Sequence, residues 1–179
     1  MLTSSYRMIP VLGLGALLLA GCGAMRPADG MGPQARVQLE PRSGSNVRGT
    51  LRFTQHGDHL MVTADVSGLQ PGQEHGFHIH DKGDCSAPDA MSAGGHFNPG
   101  GQPHGPQGAA HHGGDMPSLQ ADAAGNARAT FHLTGVTLGD GPTGIVGRAV
   151  IVHKDPDDYR TQPTGNSGAR LACGVIVRS

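Results

Sequence analysis

The sequence predicts an all-β antiparallel domain, and three observations carry that prediction. Hydrophobicity alternates with period two along most of the chain after residue 34. No segment after residue 22 shows a convincing 3.6-residue period. Two long stretches without any period, 81–114 and 154–170, interrupt the alternating ones. Loops of that length are uncommon unless they carry function. They are therefore read as functional loops on an antiparallel scaffold.

The clearest pair is a hairpin. Val47, Gly49, Leu51 and Phe53 alternate with Arg48, Thr50, Arg52 and Thr54; His56-Gly57-Asp58 turns; then Leu60, Val62, Ala64 and Val66 alternate with Met61, Thr63, Asp65 and Ser67. Ala127 to Leu133 repeats the pattern. Arg36–Glu40, Glu74–His80, Arg148–His153 and Gly174–Arg178 complete the set, with Asp115–Asp122 as a weaker candidate. Large aromatics are scarce: four Phe, two Tyr and no Trp among 179 residues, beside 30 Gly. The core must therefore be built of aliphatic side chains, and such domains often use metals or a disulfide as staples.

The N-terminus has a different composition. Arg7 precedes an apolar run, Ile9–Ala20, too short to span a bilayer as a helix. Residues 1–21 read as a signal peptide. The run ends Leu19-Ala20-Gly21-Cys22, similar to the lipobox of bacterial lipoproteins, which makes Cys22 the acylated first residue of the mature chain. Gly23 rather than Asp after it favours the outer membrane. Residues 22–34 read as a flexible tether and 35–179 as the folded domain. The expected location is the cell envelope on its periplasmic side, lipid-anchored to the membrane, where disulfides form. With Cys22 lipidated, Cys85 and Cys173 remain as one pair. Formal charge is −1, from 13 basic and 14 acidic residues, so nothing global points to nucleic acid.

The outlier is histidine, with 11 copies. In His75-Gly76-Phe77-His78-Ile79-His80, a strand puts His78 and His80 on one outward face about 7 Å apart, with Phe77 and Ile79 in the core. His153 ends another strand with its side chain on the same outward side as the two imidazoles if Val150 and Val152 face inward. The first long loop supplies His96, His104, His111-His112 and Asp115. Imidazole and carboxylate are the donors that zinc accepts, and imidazole also suits copper.

Five strings in order, HGFHIH at 75–80, GGHFNP at 94–99, HGGD at 112–115, VHKDPDD at 152–158 and GNSGARLACGVIV at 165–177, resemble the copper/zinc superoxide dismutase family, in its bacterial branch. The resemblance spans about residues 35–178. It implies a flattened eight-stranded Greek-key β-barrel, and disproportionation of superoxide to O2 and H2O2. It implies His78, His80, His96 and His153 as copper ligands and His96, His104, His112 and Asp115 as zinc ligands. His96 then bridges the ions and acts in proton transfer; His112 is preferred to His111 because the family motif is His-x-Gly-Asp. Asp157 is implied as the carboxylate that orients His78 and His104, Cys85–Cys173 as the disulfide, and Arg170 as the cation beside the copper. Lys82, Lys154 and Arg160 lie near the ligands in sequence and could help steer the anion. His56, His59, His75 and His132 are given no catalytic role. The alternative is a non-enzymatic envelope lipoprotein that binds copper and zinc. Family members include monomers and homodimers, and the sequence leaves that choice open.

Overall fold

A computed structural model describes residues 1–3 and 32–179. The signal peptide, Cys22 and nearly all of the tether lie outside the described residues.

The alternating segments become strands because each can bury one face. β1 is Gln34–Pro41, β2 Arg48–His56, β3 His59–Ser67, β4 Glu74–His75, β5 Phe77–His80, β6 Leu119–Gln120, β7 Ala127–Thr134, β8 Ala149–His153, β9 Arg170–Val175 and β10 Val177–Arg178. The principal sheet runs β5-β8-β9-β1-β2-β3-β7, with β10 paired to β1. All its ladders are antiparallel. A short β4–β6 ladder forms between the chain entering β5 and the chain leading to β7, the two ends of the curled sheet.

The β2–β3 hairpin closes in two residues, Gly57 and Asp58; Gly57 takes φ 57, a left-handed value that suits glycine. Its register sets Leu51 opposite Ala64 and Phe53 opposite Val62. The core is what the composition required: Val37, Leu39, Leu51, Leu60, Val62, Leu133, Val150 and Val152, with Phe53, Phe77 and Phe97 as its aromatic members.

Three segments differ from expectation. Glu74–His80 is broken at Gly76, whose N–H bonds the Asp155 carbonyl while its own carbonyl accepts from His153 N–H. Asp115–Asp122 shrinks to two residues, because Pro117 lacks an N–H and Asp115 is drawn into the site below. The C-terminal strand starts earlier, at Arg170, and breaks at Ile176, which exchanges hydrogen bonds with Gly147 and Arg148 before the chain crosses to β1.

The outward face of β5 and β8 is also drier than alternation suggests. All four residues of β5 and all five of β8 are buried. The first long loop roofs this face. Its short 3-10 turn, Met91–Ala93, packs with Ala90, Ala149, Ile151 and Cys173 in a second apolar cluster. Cys85 and Cys173 are disulfide-bonded and pin that roof to β9 across a sequence separation of 88. Arg42 adds a clamp, donating from Nε and NH2 to the Cys85 carbonyl at 2.9 and 2.7 Å.

Candidate metal centre

The roofed face brings two donor sets together. His78, His80, His96 and His153 place one ring nitrogen each within 4.8 Å of one another, and all four are buried. His96, His104, His112 and one carboxylate oxygen of Asp115 do the same. His96 belongs to both. Its Nδ1 lies 2.9 Å from Asp115 Oδ1 and 3.5 Å from His112 Nδ1. Its Nε2 is buried with no hydrogen-bond partner.

The first set stands on the sheet. His78 and His80 share one side of β5, and His153 ends β8, next to β5 in antiparallel register. Each ring is fixed by its second nitrogen. His78 Nε2 donates to Asp157 Oδ2 at 2.7 Å, His80 Nδ1 to the Gly94 carbonyl at 2.9 Å, and His153 Nδ1 to the Gly168 carbonyl at 3.3 Å. The remaining nitrogens face inward. His80 Nε2 and His153 Nε2 are 3.3 Å apart, and His78 Nδ1 has no partner. Two nitrogens at about 2.0–2.1 Å from one tetrahedral ion lie about 3.3 Å apart, so the spacing fits a shared metal. Burial, above all, depresses the basicity of these rings: His78 falls to about 4, and His80 and His153 lie well below the ordinary 6.5. They are neutral at neutral pH, as metal ligands must be.

The second set hangs on the first long loop. Asp115 Oδ2 is 3.0 Å from His104 Nδ1, and Oδ1 is 3.2 Å from His112 Nδ1. Asp115 Oδ2 also accepts the His112 N–H at 2.9 Å. Burial works against ionisation of His104, yet it lies between Asp115 and Asp157, and the two carboxylates push it up to about 9. Asp115 and Asp157 are held well below the usual carboxylate range by their imidazole partners, against the cost of burial.

Asp157 joins the sets. Its Oδ1 accepts from His104 Nε2 at 2.8 Å and from the Tyr159 N–H at 2.7 Å, while Oδ2 takes His78. His78, His104 and Asp157 are close enough to be a third candidate donor group. Their contacts are hydrogen bonds, however, and each ring turns its other nitrogen to one of the first two sets, so Asp157 is an orienting carboxylate. Gly165 makes room for it: at φ 63, a Cβ there would collide with Asp157 Oδ1 and His104 Nε2.

Arg170 pairs with His153 in the β8–β9 register. Its NH1 donates to the Ala90 carbonyl at 2.8 Å and its NH2 to the Gly94 carbonyl at 2.7 Å. Gly94 O thus holds both Arg170 and His80. His111 stays outside the donor sets, bonding the His112 carbonyl, while His112 lies within the second set. Lys82, Lys154 and Arg160 are exposed. His75 is buried and bonds the His153 carbonyl at 2.9 Å.

Sequence reasoning missed Gln162. Its Oε1 accepts the His104 N–H at 2.8 Å and its Nε2 donates to the His104 carbonyl at 2.9 Å. The second long loop thereby grips a donor of the first. Tyr159 makes a parallel tie, its hydroxyl accepting the Ser118 N–H at 2.8 Å. Neither residue had a motif to announce it.

The chain is similar to known proteins in sequence and fold. The family model described as copper/zinc superoxide dismutase (SODC) matches residues 47–176. A Deinococcus radiodurans protein named superoxide dismutase [Cu-Zn] is 39% identical over 182 residues, covering 94% of each chain. The Bacillus subtilis superoxide dismutase-like protein YojM is 36% identical over 192 residues, covering 96% of each. Among solved structures, a SOD-like protein from Bacillus subtilis aligns with TM-score 0.71 at 38% identity, over 78% of this chain and 96% of that one. The clock protein EA4 aligns with TM-score 0.72 at 38% identity, over 80% and 93%. The chain belongs to the copper/zinc superoxide dismutase family.

Proposed function

We propose that the protein is a working superoxide dismutase, with copper in the set of His78, His80, His96 and His153 and zinc in the set of His96, His104, His112 and Asp115. The observation that carries this reading is His96, whose two nitrogens face the two sets. A buffer for either metal alone needs no shared ring.

Bound copper would supply one-electron exchange with superoxide, while zinc would hold the loop without redox change. The residues supply the rest. Arg170, fixed by two backbone carbonyls beside His153, offers a guanidinium to a small anion. Lys82, Lys154 and Arg160 add exposed positive charge to the approach. His96 Nε2, free of hydrogen bonds, is the atom on which a proton can be carried to the product. Two superoxide ions and two protons yield one O2 and one H2O2.

The second reading is a metal-binding protein without turnover, which the superoxide dismutase-like name of the 36%-identical relative keeps in view. Metal analysis with a superoxide-decay assay on the loaded protein separates the two. Two ions per chain with accelerated decay is expected; two ions with decay at the spontaneous rate leaves the second reading.

We propose further that Cys22 carries the lipid and holds the domain at the envelope, on the periplasmic side and in the outer membrane. Leu19-Ala20-Gly21-Cys22 supports this. Radiolabelled fatty acid should enter the wild-type chain and not Cys22→Ser; labelling of both would remove the proposal.

A further inference from the structure

We propose a third metal site, outside the buried centre, formed by His56, His59 and His132 and suited to an exchangeable Cu(II) ion. These histidines lie on β2, β3 and β7, which carry none of the buried donors. The hairpin register sets His56 directly opposite His59. The β3–β7 register sets His132 opposite Met61, two residues along from His59 and so on the same side. Leu60, Val62 and Leu133, of the other parity, are buried in the core, so the three imidazoles and the Met61 thioether face outward.

The rings are already neighbours. The His56 and His59 centroids are 6.0 Å apart, and those of His59 and His132 are 4.8 Å apart. Ring pairs within the buried set of His78, His80, His96 and His153 span 3.9 to 6.4 Å. His59 Nδ1 sits 3.1 Å from Asp58 Oδ1, so a carboxylate orients that ring and leaves Nε2 for a ligand. His56 Nε2 is buried and has no hydrogen-bond partner. An orphaned ring nitrogen beside two more imidazoles is what a bound cation would satisfy.

The free nitrogens do not converge as closely as those of the buried sets, which reach within 4.8 Å. His132 is exposed and its ring has room to turn towards an ion. Such a site binds and releases its ion readily. Imidazole donors favour Cu(II) over the other divalent first-row metals.

The test uses the full chain with both buried sites loaded, dialysed against Cu(II) in a non-coordinating buffer. One further ion per chain is expected at about micromolar Kd, with a copper resonance distinct from that of the buried site. His59→Ala and His132→Ala should each weaken it more than about tenfold, and His56→Gln, which spares the hairpin, by a similar factor. The loaded stoichiometry and melting temperature should be unchanged. No further ion up to about 100 μM would overturn the site, and so would a further ion still held by the His59→Ala/His132→Ala protein.

Discussion

The two donor sets share His96 and little else. The set proposed for copper has three donors on the sheet, His78 and His80 on β5 and His153 at the end of β8. The set proposed for zinc lies in the chain between β5 and β6. The copper side is all imidazole, and burial keeps His78, His80 and His153 neutral. The zinc side has a carboxylate and a histidine whose proton is held by two carboxylates. The ladder fixes where the sheet donors stand, and loop groups, Asp157, Gly94 and Gly168, orient their rings. A loop must be tied from outside, and Asp157, Gln162 and the disulfide do the tying.

Because His96 belongs to both sets, its removal should damage both. His96→Ala is expected to cut zinc affinity and dismutation by more than about 100-fold, beyond the 10–100-fold typical of losing an orienting partner. Metal analysis after dialysis and superoxide decay measure it. Retention of tight zinc would show that the loop set closes without the shared ring.

Asp157→Asn tests the other connection. It removes the charge that orients His78 and His104 while keeping the volume. Affinity for both metals should fall about 10–100-fold. A loss confined to zinc would mean that β5 alone fixes His78.

How far this contrast could be read in advance depended on what carries each contact. Candidate donors on strands were partly legible because a period of two fixes which side chains share a face; it set His78 and His80 on one side, and the resemblance made them and His153 donors. The loop ligands came from a resemblance in short strings, since loop geometry has no period to read. His112 was preferred to His111 on the same ground, and the structure brings His112, not His111, among the candidate donors. The dry outward face of β5 and β8 was not legible, because alternation reports the sheet and not the loop that covers it. Nor were the Gly94 and Ala90 carbonyls that seat Arg170, since a backbone acceptor leaves no mark in the residue type. Asp115–Asp122 kept its alternation only from Leu119 onward, and only Leu119–Gln120 is strand.

Proton release should separate the sets by pH. His104 titrates at about 9 in the folded, metal-free chain and at 6.5 when unfolded. Its folded value is raised, so its stabilisation is complete below pH 6.5 and is lost as pH rises through about 9. The melting temperature of metal-free protein should decline over that window. Zinc must displace the same proton, so zinc affinity should climb by about tenfold per pH unit between 7 and 9. The copper-side rings are depressed instead, and their stabilisation is lost as pH falls below 6.5 towards about 4. Copper affinity should be flat above pH 7. Chelator competition at several pH values measures both slopes, and parallel slopes would erase the electrostatic difference.

The smallest effect expected is also the most selective. Gln162 touches the zinc side only, through the backbone N–H and carbonyl of His104. Gln162→Ala leaves every metal donor in place but frees the loop turn that carries one of them. Zinc affinity should fall roughly threefold to tenfold, near the low end for loss of an orienting partner. Gln162→Glu keeps the acceptor for the His104 N–H and loses the donor to its carbonyl, so its effect should be intermediate. Copper affinity should not move in either variant, because His78, His80 and His153 take their orientation from Asp157, Gly94 and Gly168. Cobalt(II) substituted at the zinc set gives an absorption band that reports the loop geometry without any turnover. If Gln162→Ala loosens copper as much as zinc, the sheet does not insulate one set from the other, and the division between scaffold-borne and loop-borne donors fails.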